Sequence, residues 1–283
     1  MKIKKMTLLL RGSVYFSAAA TICTIIFISA YILFMGLANI KPSLFDFKYT
    51  SDNVSLFPAM INTIVVIITA LAVSVPVGVF SAVYLTEYAS RSNKFVKVIR
   101  IAAETLAGIP SIVYGLFGML LFVIHLKMGY SIVAGGLTLA IMTLPLIMRT
   151  AEEALIAVPD LFREGSFGLG AGKLRTTFKI ILPSAFNGIF AGIILSLGRI
   201  LGETAALIFT AGTATEIVKV YTNNAGHVSV SSGRTLAVHL YSISTEGLHN
   251  NEAFATAAVL FIIVVIINSL SYYVAGKIER KES

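Results

Sequence analysis

The chain has few charged residues: Asp, Glu, Lys and Arg make up 13% of its 283 residues, whereas soluble domains carry roughly 25%. Apolar residues make up 57% of the chain, and a water-soluble fold could not remove that much apolar surface from water. The sequence therefore predicts a protein whose surroundings are the lipid bilayer.

Cysteine is nearly absent, since Cys23 is the single one in the chain. One cysteine excludes an internal disulfide and a cysteine-based metal site. The four histidines, His125, His227, His239 and His249, fall at the ends of apolar stretches or outside them, and the sequence contains neither an HExxH nor a GxSxG motif. We therefore expect no metal and no catalytic residues, which makes an intramembrane enzyme the least favoured function.

The net charge of +8 does not indicate a nucleic-acid partner, because the basic residues lie in short segments between apolar stretches. Sixteen of the 22 Lys and Arg residues fall in segments on the same side of the membrane as the N-terminus, five fall in the others, and Arg199 lies inside an apolar stretch. Cytoplasmic loops of membrane proteins carry such an excess of positive charge. This bias predicts a multi-pass protein of the cytoplasmic membrane with both termini in the cytoplasm.

A transmembrane helix needs about 20 predominantly apolar residues, and six stretches of the chain meet this requirement. They lie at 14–38, 58–86, 105–126, 130–150, 185–212 and 253–276. The basic segment 1–11 is followed by a long apolar run without a small-residue cleavage site, so we expect an uncleaved first span. The predicted fold is an all-α polytopic membrane protein with six transmembrane helices.

The polar loop between the fourth and fifth spans has the clearest pattern in the chain. Pro159 cannot continue the preceding helix and Asp160 could cap the next one, so we expect a short helix over 160–168. The glycines at 168, 170 and 172 allow a sharp turn with positive φ. A second, amphipathic helix is predicted over 173–182, with Leu174, Phe178 and Ile181 on one side. The loop is thus predicted to be a helix–turn–helix finger, and the alternative is an ordinary solvated loop.

This loop resembles the permease loop of binding-protein-dependent ABC importers, which has the form EAA, three residues, Gly, nine residues, Ile, one residue, Leu-Pro. The spacing fits at every anchor, although Gly165 and Ser166 replace the two alanines. The matching residues are Glu164, Gly165, Ser166, Gly170, Ile180, Leu182 and Pro183. The resemblance implies that this element contacts a separate ATPase, chiefly through Glu164 and Gly170, and that the fold is the type I ABC importer permease fold.

A glycine-rich run within the loop, 168–173, superficially resembles a phosphate-binding P-loop. The P-loop pattern requires glycine where the chain has Phe167, and Ser or Thr where it has Leu174. We therefore expect no nucleotide or other cofactor on this chain, with ATP bound by a partner subunit.

Two charges lie inside the fifth span. Arg199 and Glu203 are four residues apart, so a continuous helix would place them on one face. Charged groups at bilayer depth face protein or a water-filled path, and a guanidinium fork matches two oxygens of an oxyanion. We expect either an ion pair that fixes helix packing or a substrate path in which Arg199 meets an anion and Glu203 orients it or serves in the gate.

The third span begins irregularly, because Gly108 and Pro110 interrupt regular helix. Irregular backbone at membrane depth is tolerated where it lines a cavity, and Ser111 and Tyr114 could offer hydroxyls to a passing anion. A kinked packing helix is the alternative. In the fifth span, small residues at 184, 188, 192 and 196 predict close helix packing against a neighbouring span or a sister subunit.

The segments GIPSIVYGLFG and GRILGETAALIFTAG, together with the loop, resemble the A-type permease subunit of high-affinity phosphate importers over roughly 55–276. This resemblance implies a permease core at 58–276 with its coupling loop at 151–183. Residues 1–57 would form a tail, a first span and an external loop, and residues 277–283 a basic cytoplasmic tail. The implied cargo is inorganic phosphate.

The implied partners are a homologous C-type permease, two ATPase subunits and an external phosphate-binding protein, all assembled in membrane lipid. The alternatives are the C-type permease itself, or a permease for another oxyanion such as molybdate or sulfate. A receptor or scaffold that does not transport is less favoured, because a coupling loop is useful where ATP drives movement.

Overall fold

A computed structural model describes residues 2–90, 94–222 and 228–282 of the chain. Arg91, His227 and Ser283, which entered the sequence arguments, lie outside these residues. The helices are α1 (Lys2–Leu37), α2 (Phe57–Val83), α3 (Lys94–Ala107), α4 (Ser111–Gly118), α5 (Ile132–Ala157), α6 (Asp160–Gly168), α7 (Lys173–Thr176), α8 (Leu182–Ser184), α9 (Phe186–Gly202), α10 (Ala205–Thr210), α11 (Leu236–Glu246) and α12 (Asn250–Glu282).

Three wide π-helical turns and one 3-10 turn complete the helical part. The π turns extend α2 over Tyr84–Tyr88, α4 over Met119–His125 and α7 over Thr177–Ile181, and the 3-10 turn covers Pro42–Phe45. Strands β1 (Val220–Thr222) and β2 (Val228–Val230) pair antiparallel, with Tyr221 opposite Ser229. The all-α prediction is confirmed apart from this small hairpin.

Within the described residues, four helices are long and apolar enough to cross a membrane: Leu10–Leu37, Phe57–Tyr88, Ile132–Ala157 and Asn250–Ser271. Two bent helix pairs raise the number to as many as six. Lys94–Ala107 and Ser111–His125 meet at 103°, and Lys173–Ser184 and Phe186–Gly202 meet at 62°. The expected irregular entry to the third span is therefore present as a sharp bend at 108–110.

Close contacts between small residues hold the central helices together. An added Cβ on Gly78 of α2 would lie 2.9 Å from Ile147 Cγ2 of α5, and one on Gly188 of α9 would lie 2.6 Å from Ala154 Cβ. An added Cβ on Gly192 would overlap the Thr150 hydroxyl. Gly188 and Gly192 of the fifth span therefore pack against α5, which confirms their predicted packing role and identifies the neighbour, whereas Ser184 is exposed.

The two ends of α2 provide a frame for the rest of the molecule. At the Tyr88 end, called the finger end, Glu87 contacts the loop that contains α6. At the Phe57 end, called the far end, Asn62 bonds to the segment between α10 and α11, and Thr63 accepts a bond from the first residue of α11. At a rise of 1.5 Å per residue, α2 separates these ends by about 40 Å.

Two predictions about individual elements are wrong. The stretch 185–212 is not one helix, because α9 ends at Gly202 and α10 starts at Ala205. Asp160 is not a cap, since Pro159 occupies the cap position of α6 without a side-chain bond. The hairpin and α11 follow α10 in the region before α12.

Candidate coupling finger and membrane-embedded charges

The finger consists of α6, a glycine turn, and the helical run of α7, its π turn and α8. Gly170 makes the turn with φ of +80°, a left-handed conformation that glycine adopts without strain. Gly168 and Gly172 are not among the positive-φ residues that the structure describes. The buried hydroxyls of Ser166 and Thr176 lie 2.8 Å apart and join the two arms. The predicted helix–turn–helix finger is thus present, with α6 at its predicted bounds.

Arg163 fixes the finger to the membrane helices. Its guanidinium donates to Glu87 Oε1 at 2.7 Å, to the Val158 carbonyl at 2.8 Å and to the Leu155 carbonyl at 3.0 Å. It also pairs with Asp160 at 3.1 Å. The hydrogen bond to Glu87 is the main cause of a raised Arg163 pKa. Arg163 therefore stays charged and joins α6 to the ends of both α2 and α5.

The tip of the finger exposes large apolar side chains. Leu169 is 91% exposed and Leu161 76% exposed, although each lies in a charged, polar segment. In the second arm, Leu174 is exposed while Ile181, Thr176 and Thr177 are buried. The predicted apolar side of that arm is therefore wrong for Leu174 and Phe178, which are exposed, and right for Ile181, which is buried. The exposed tip suits contact with another protein.

The motif residues divide into an exposed set and an anchoring set. Glu164, Gly165 and Gly170 are exposed, and Ser166 is buried in the hydroxyl contact with Thr176. The remaining three lie at the base of the finger: Ile180 and Leu182 are half-buried, and Pro183 is exposed.

The break at 203–204 changes how the two embedded charges relate. Glu203 lies outside α9, and its Oε1 accepts a bond of 3.1 Å from the Ala206 backbone N–H, at the start of α10. No ion pair joins it to Arg199 within the described part of the chain. The expectation of a shared helix face is therefore wrong, and Glu203 stabilises the start of the next helix instead.

Arg199 lies at the border of an open helix face. Gly198 and Gly202 have open space where a Cβ would extend, and Leu195 is 60% exposed on the same side of α9. The Arg199 side chain itself is half-buried, in reach of an electrostatic interaction with Tyr114 of α4. A cation at an open face of a membrane helix needs water or protein opposite it.

The two hydroxyl candidates of the third span have different surroundings. Tyr114 is buried, and its hydroxyl donates to the Leu106 carbonyl at 2.7 Å across the 108–110 bend. Ser111 is half-buried in the first turn of α4. Behind them, Gly115 allows α4 to approach α10, since an added Cβ would lie 2.8 Å from Ala206 Cα. Tyr114 thus links α4 to α3 across the bend in this conformation.

Sequence reasoning missed two structural anchors. Arg163 entered only the count of positive charge, and its partner Glu87 is 76 residues away, so no local pattern could pair them. At the far end, the buried Asn62 donates to the carbonyls of Glu216 and Arg234 and accepts from the Val218 N–H. The sequence signal available for this second anchor was Asn62 itself, a polar residue near the start of an apolar helix.

These features define a class of protein, the permease subunit of an ABC importer. A bacterial ABC transporter involved in the import of the acidic polysaccharide alginate has the same fold, with a TM-score of 0.64 over 93% of this chain and 95% of that chain at 13% identity. The MetNI methionine ABC transporter in an inward-facing conformation gives 0.61 over 79% of this chain and 94% of that chain at 18% identity. The chain thus has the type I ABC importer permease fold.

The particular family follows from sequence. Residues 74–282 match the family described as binding-protein-dependent transport system inner membrane component, and the chain belongs to this family. It is 32% identical to the probable ABC transporter permease protein YqgI of Bacillus subtilis (strain 168), over 98% of both chains. It is 34% identical to the phosphate transport system permease protein PstA 1 of Mycobacterium tuberculosis (strain CDC 1551 / Oshkosh), over 75% of this chain and 68% of that protein. Permease subunits of this family are embedded in the membrane and are not themselves enzymes.

Proposed function

We propose that the chain is the A-type permease subunit of an importer for inorganic phosphate. The observation that carries this proposal is Arg199, a cation on a membrane helix beside the open face formed by Gly198 and Gly202. In the full importer a second, homologous permease would lie opposite this face, so Arg199 would border a water-filled path. A guanidinium binds phosphate oxygens in pairs, and the similarity to phosphate permeases supports the same cargo.

The driving step would come from a separate ATPase that binds the exposed tip of the finger. Two ATPase subunits close on ATP, and the motion passes through Gly170 and the Arg163 anchor to α2 and α5. An external phosphate-binding protein would deliver the anion at the far end, with both termini of this chain in the cytoplasm. ATP biases the two conformations because its binding free energy differs between them.

Labelled phosphate uptake tests the cargo directly. Cells that lack the chain should lose uptake, and restoring the chain should return it in the presence of excess sulfate or molybdate. Uptake that does not depend on the chain, or that either competitor abolishes, would contradict phosphate as the cargo and favour another oxyanion.

A second arm of the experiment tests the role of Arg199. Arg199→Gln should abolish uptake while membrane insertion and ATPase docking persist. Lys127→Gln removes the same charge from an exposed turn and should transport normally. Normal uptake by Arg199→Gln would show that Arg199 does not meet the anion.

A further inference from the structure

A second arginine lies at the far end, outside the path just proposed. Arg234 precedes α11 and is only 5% exposed. Its backbone is fixed on both sides, because its N–H donates to the Ala214 carbonyl at 2.9 Å and its carbonyl accepts from Asn62 at 3.2 Å. The position of this guanidinium is therefore set by the fold and not by a flexible loop.

The charge of Arg234 has no counter-ion among the described residues. Its Nη2 atom is buried and has no hydrogen-bond partner there, and none of the ion pairs found in that part of the chain includes it. The guanidinium carbon lies 4.5 Å from the centre of the Tyr49 ring. A cation–π contact offsets only part of the cost of removing a charge from water. An incoming anion would remove the remaining cost.

A buried imidazole accompanies the arginine. His239 of α11 is fully buried, and neither ring nitrogen makes a hydrogen bond of regular geometry in the described part of the chain, although the Val54 backbone is close enough to interact with the ring. Its ring meets the Tyr49 ring edge-on at 6.1 Å. A neutral imidazole carries one N–H donor. Arg234, whose Nη2 donor lacks an acceptor, and the buried His239 thus lie around one tyrosine, a composition suited to an oxyanion.

Tyr49 also borders open space. It lines a cavity of about 540 Å³, far larger than a water molecule, together with Lys48, Thr50 and Thr215. Two further charged residues line this cavity, Lys219 and Glu216, and they form an ion pair with each other. The cavity therefore has a net positive lining, and Tyr49 contacts both the cavity and the Arg234 guanidinium.

We propose that Arg234 and His239 form an outer binding site for a small oxyanion, covered by Tyr49 in this conformation. Rotation of Tyr49 would join the site to the cavity. The identification of phosphate as the anion rests on the proposed function, whereas the site rests on the buried, unpaired guanidinium of Arg234. At the far end of α2, it would hold the anion before the anion reaches Arg199.

Thermal unfolding of the full chain in detergent tests the site, with inorganic phosphate as the probe. Phosphate should raise the unfolding temperature of the native chain and of Lys127→Gln, whose lost charge is exposed near the same end. Potassium chloride at equal ionic strength should raise it less. Arg199→Gln should keep the shift even if it no longer transports. Arg234→Met should lose the shift, and without phosphate it should unfold at or above the native temperature, because it removes an unpaired buried charge.

Three results would overturn the site: no phosphate or sulfate shift in the native chain, an unchanged shift in Arg234→Met, or an Arg234→Met chain that unfolds below the native temperature without anion. The last would mean that the guanidinium has a protein partner. A shift with sulfate but not phosphate would support the site and contradict phosphate as cargo. Equilibrium dialysis with labelled phosphate should rank the phosphate affinities of the variants in the same order as their shifts in unfolding temperature.

Discussion

Removing Arg163 should detach the finger from the membrane helices. Arg163→Ala deletes the ion pair with Glu87 and the bonds to the Leu155 and Val158 carbonyls. The Glu87 side chain is only 8% exposed, so its carboxylate would remain largely buried without its cation. The variant should therefore lose stability first at the finger end, where α6 contacts α2 and α5.

The expected loss follows from the burial of the pair. Breaking a buried ion pair by removing one partner costs roughly 3–5 kcal/mol. The Arg163 side chain is 16% exposed, so water partly replaces the lost bonds and about 3 kcal/mol is the reasonable value. Native proteins are stable by roughly 5–15 kcal/mol, so this change is a large fraction of the total.

Denaturant titration of the purified chain measures this loss. Arg149→Ala is the matched control, because its pair with Glu153 is exposed on both sides and should leave the free energy of unfolding nearly unchanged. A double-mutant cycle with Glu87→Gln should give a coupling of about 2 kcal/mol between the two residues. A loss below about 0.5 kcal/mol for Arg163→Ala, within the range of ordinary surface substitutions, would refute the anchor.

Three further predictions concern single positions. Gly170→Val should reduce uptake and destabilise the finger by about 1–2 kcal/mol, because φ is +80° there. Uptake assays and unfolding of the purified variant check this, with Gly172→Ala as control, since an added Cβ there meets nothing within 4 Å. Gly192→Val should disrupt α5–α9 packing by overlapping Thr150, whereas Gly202→Ala meets nothing within 4 Å; equal unfolding temperatures would contradict the packing. Burial, with the charge of Arg234, lowers the pKa of His239 from 6.5 to about 3, so below pH 6.5 the unfolded chain binds a proton that the folded chain does not bind. The free energy of unfolding should therefore fall by up to about 1.4 kcal/mol per pH unit below pH 6.5. His239→Gln should remove this slope.

The sequence predicted the elements that local chemistry determines. Pro159 and the glycine after α6 bounded that helix correctly, because proline ends a helix and glycine permits the left-handed turn. The small residues of the fifth span predicted close packing because they let two helix backbones approach each other. These features need no knowledge of distant parts of the chain.

One element that the sequence missed is local. The spacing of Arg199 and Glu203 is compatible with a continuous helix, but Glu203 accepts a bond from the Ala206 N–H three residues later, at the start of α10. Other missed elements depend on distant contacts, since Glu216 and Val218 are held by Asn62, more than 150 residues earlier. Side-chain pairs at such separations have no periodic signal in a single sequence.

Movement of the finger should displace α2 and α5 as one unit. Arg163 is bonded to the ends of both helices, and the helices are in tight contact along their length, at Gly78 with Ile147 and at Gly136 with Thr69. The breaks at 108–110 and 203–204 separate α3 from α4 and α9 from α10, so changes of shape should concentrate there, next to Arg199. Spin-label distances in the assembled transporter can test this: adding ATP should change the separation of labels across either break while labels on α2 and α5 keep theirs. A changed α2–α5 distance would show that the finger drives sliding between these helices and would refute rigid transmission.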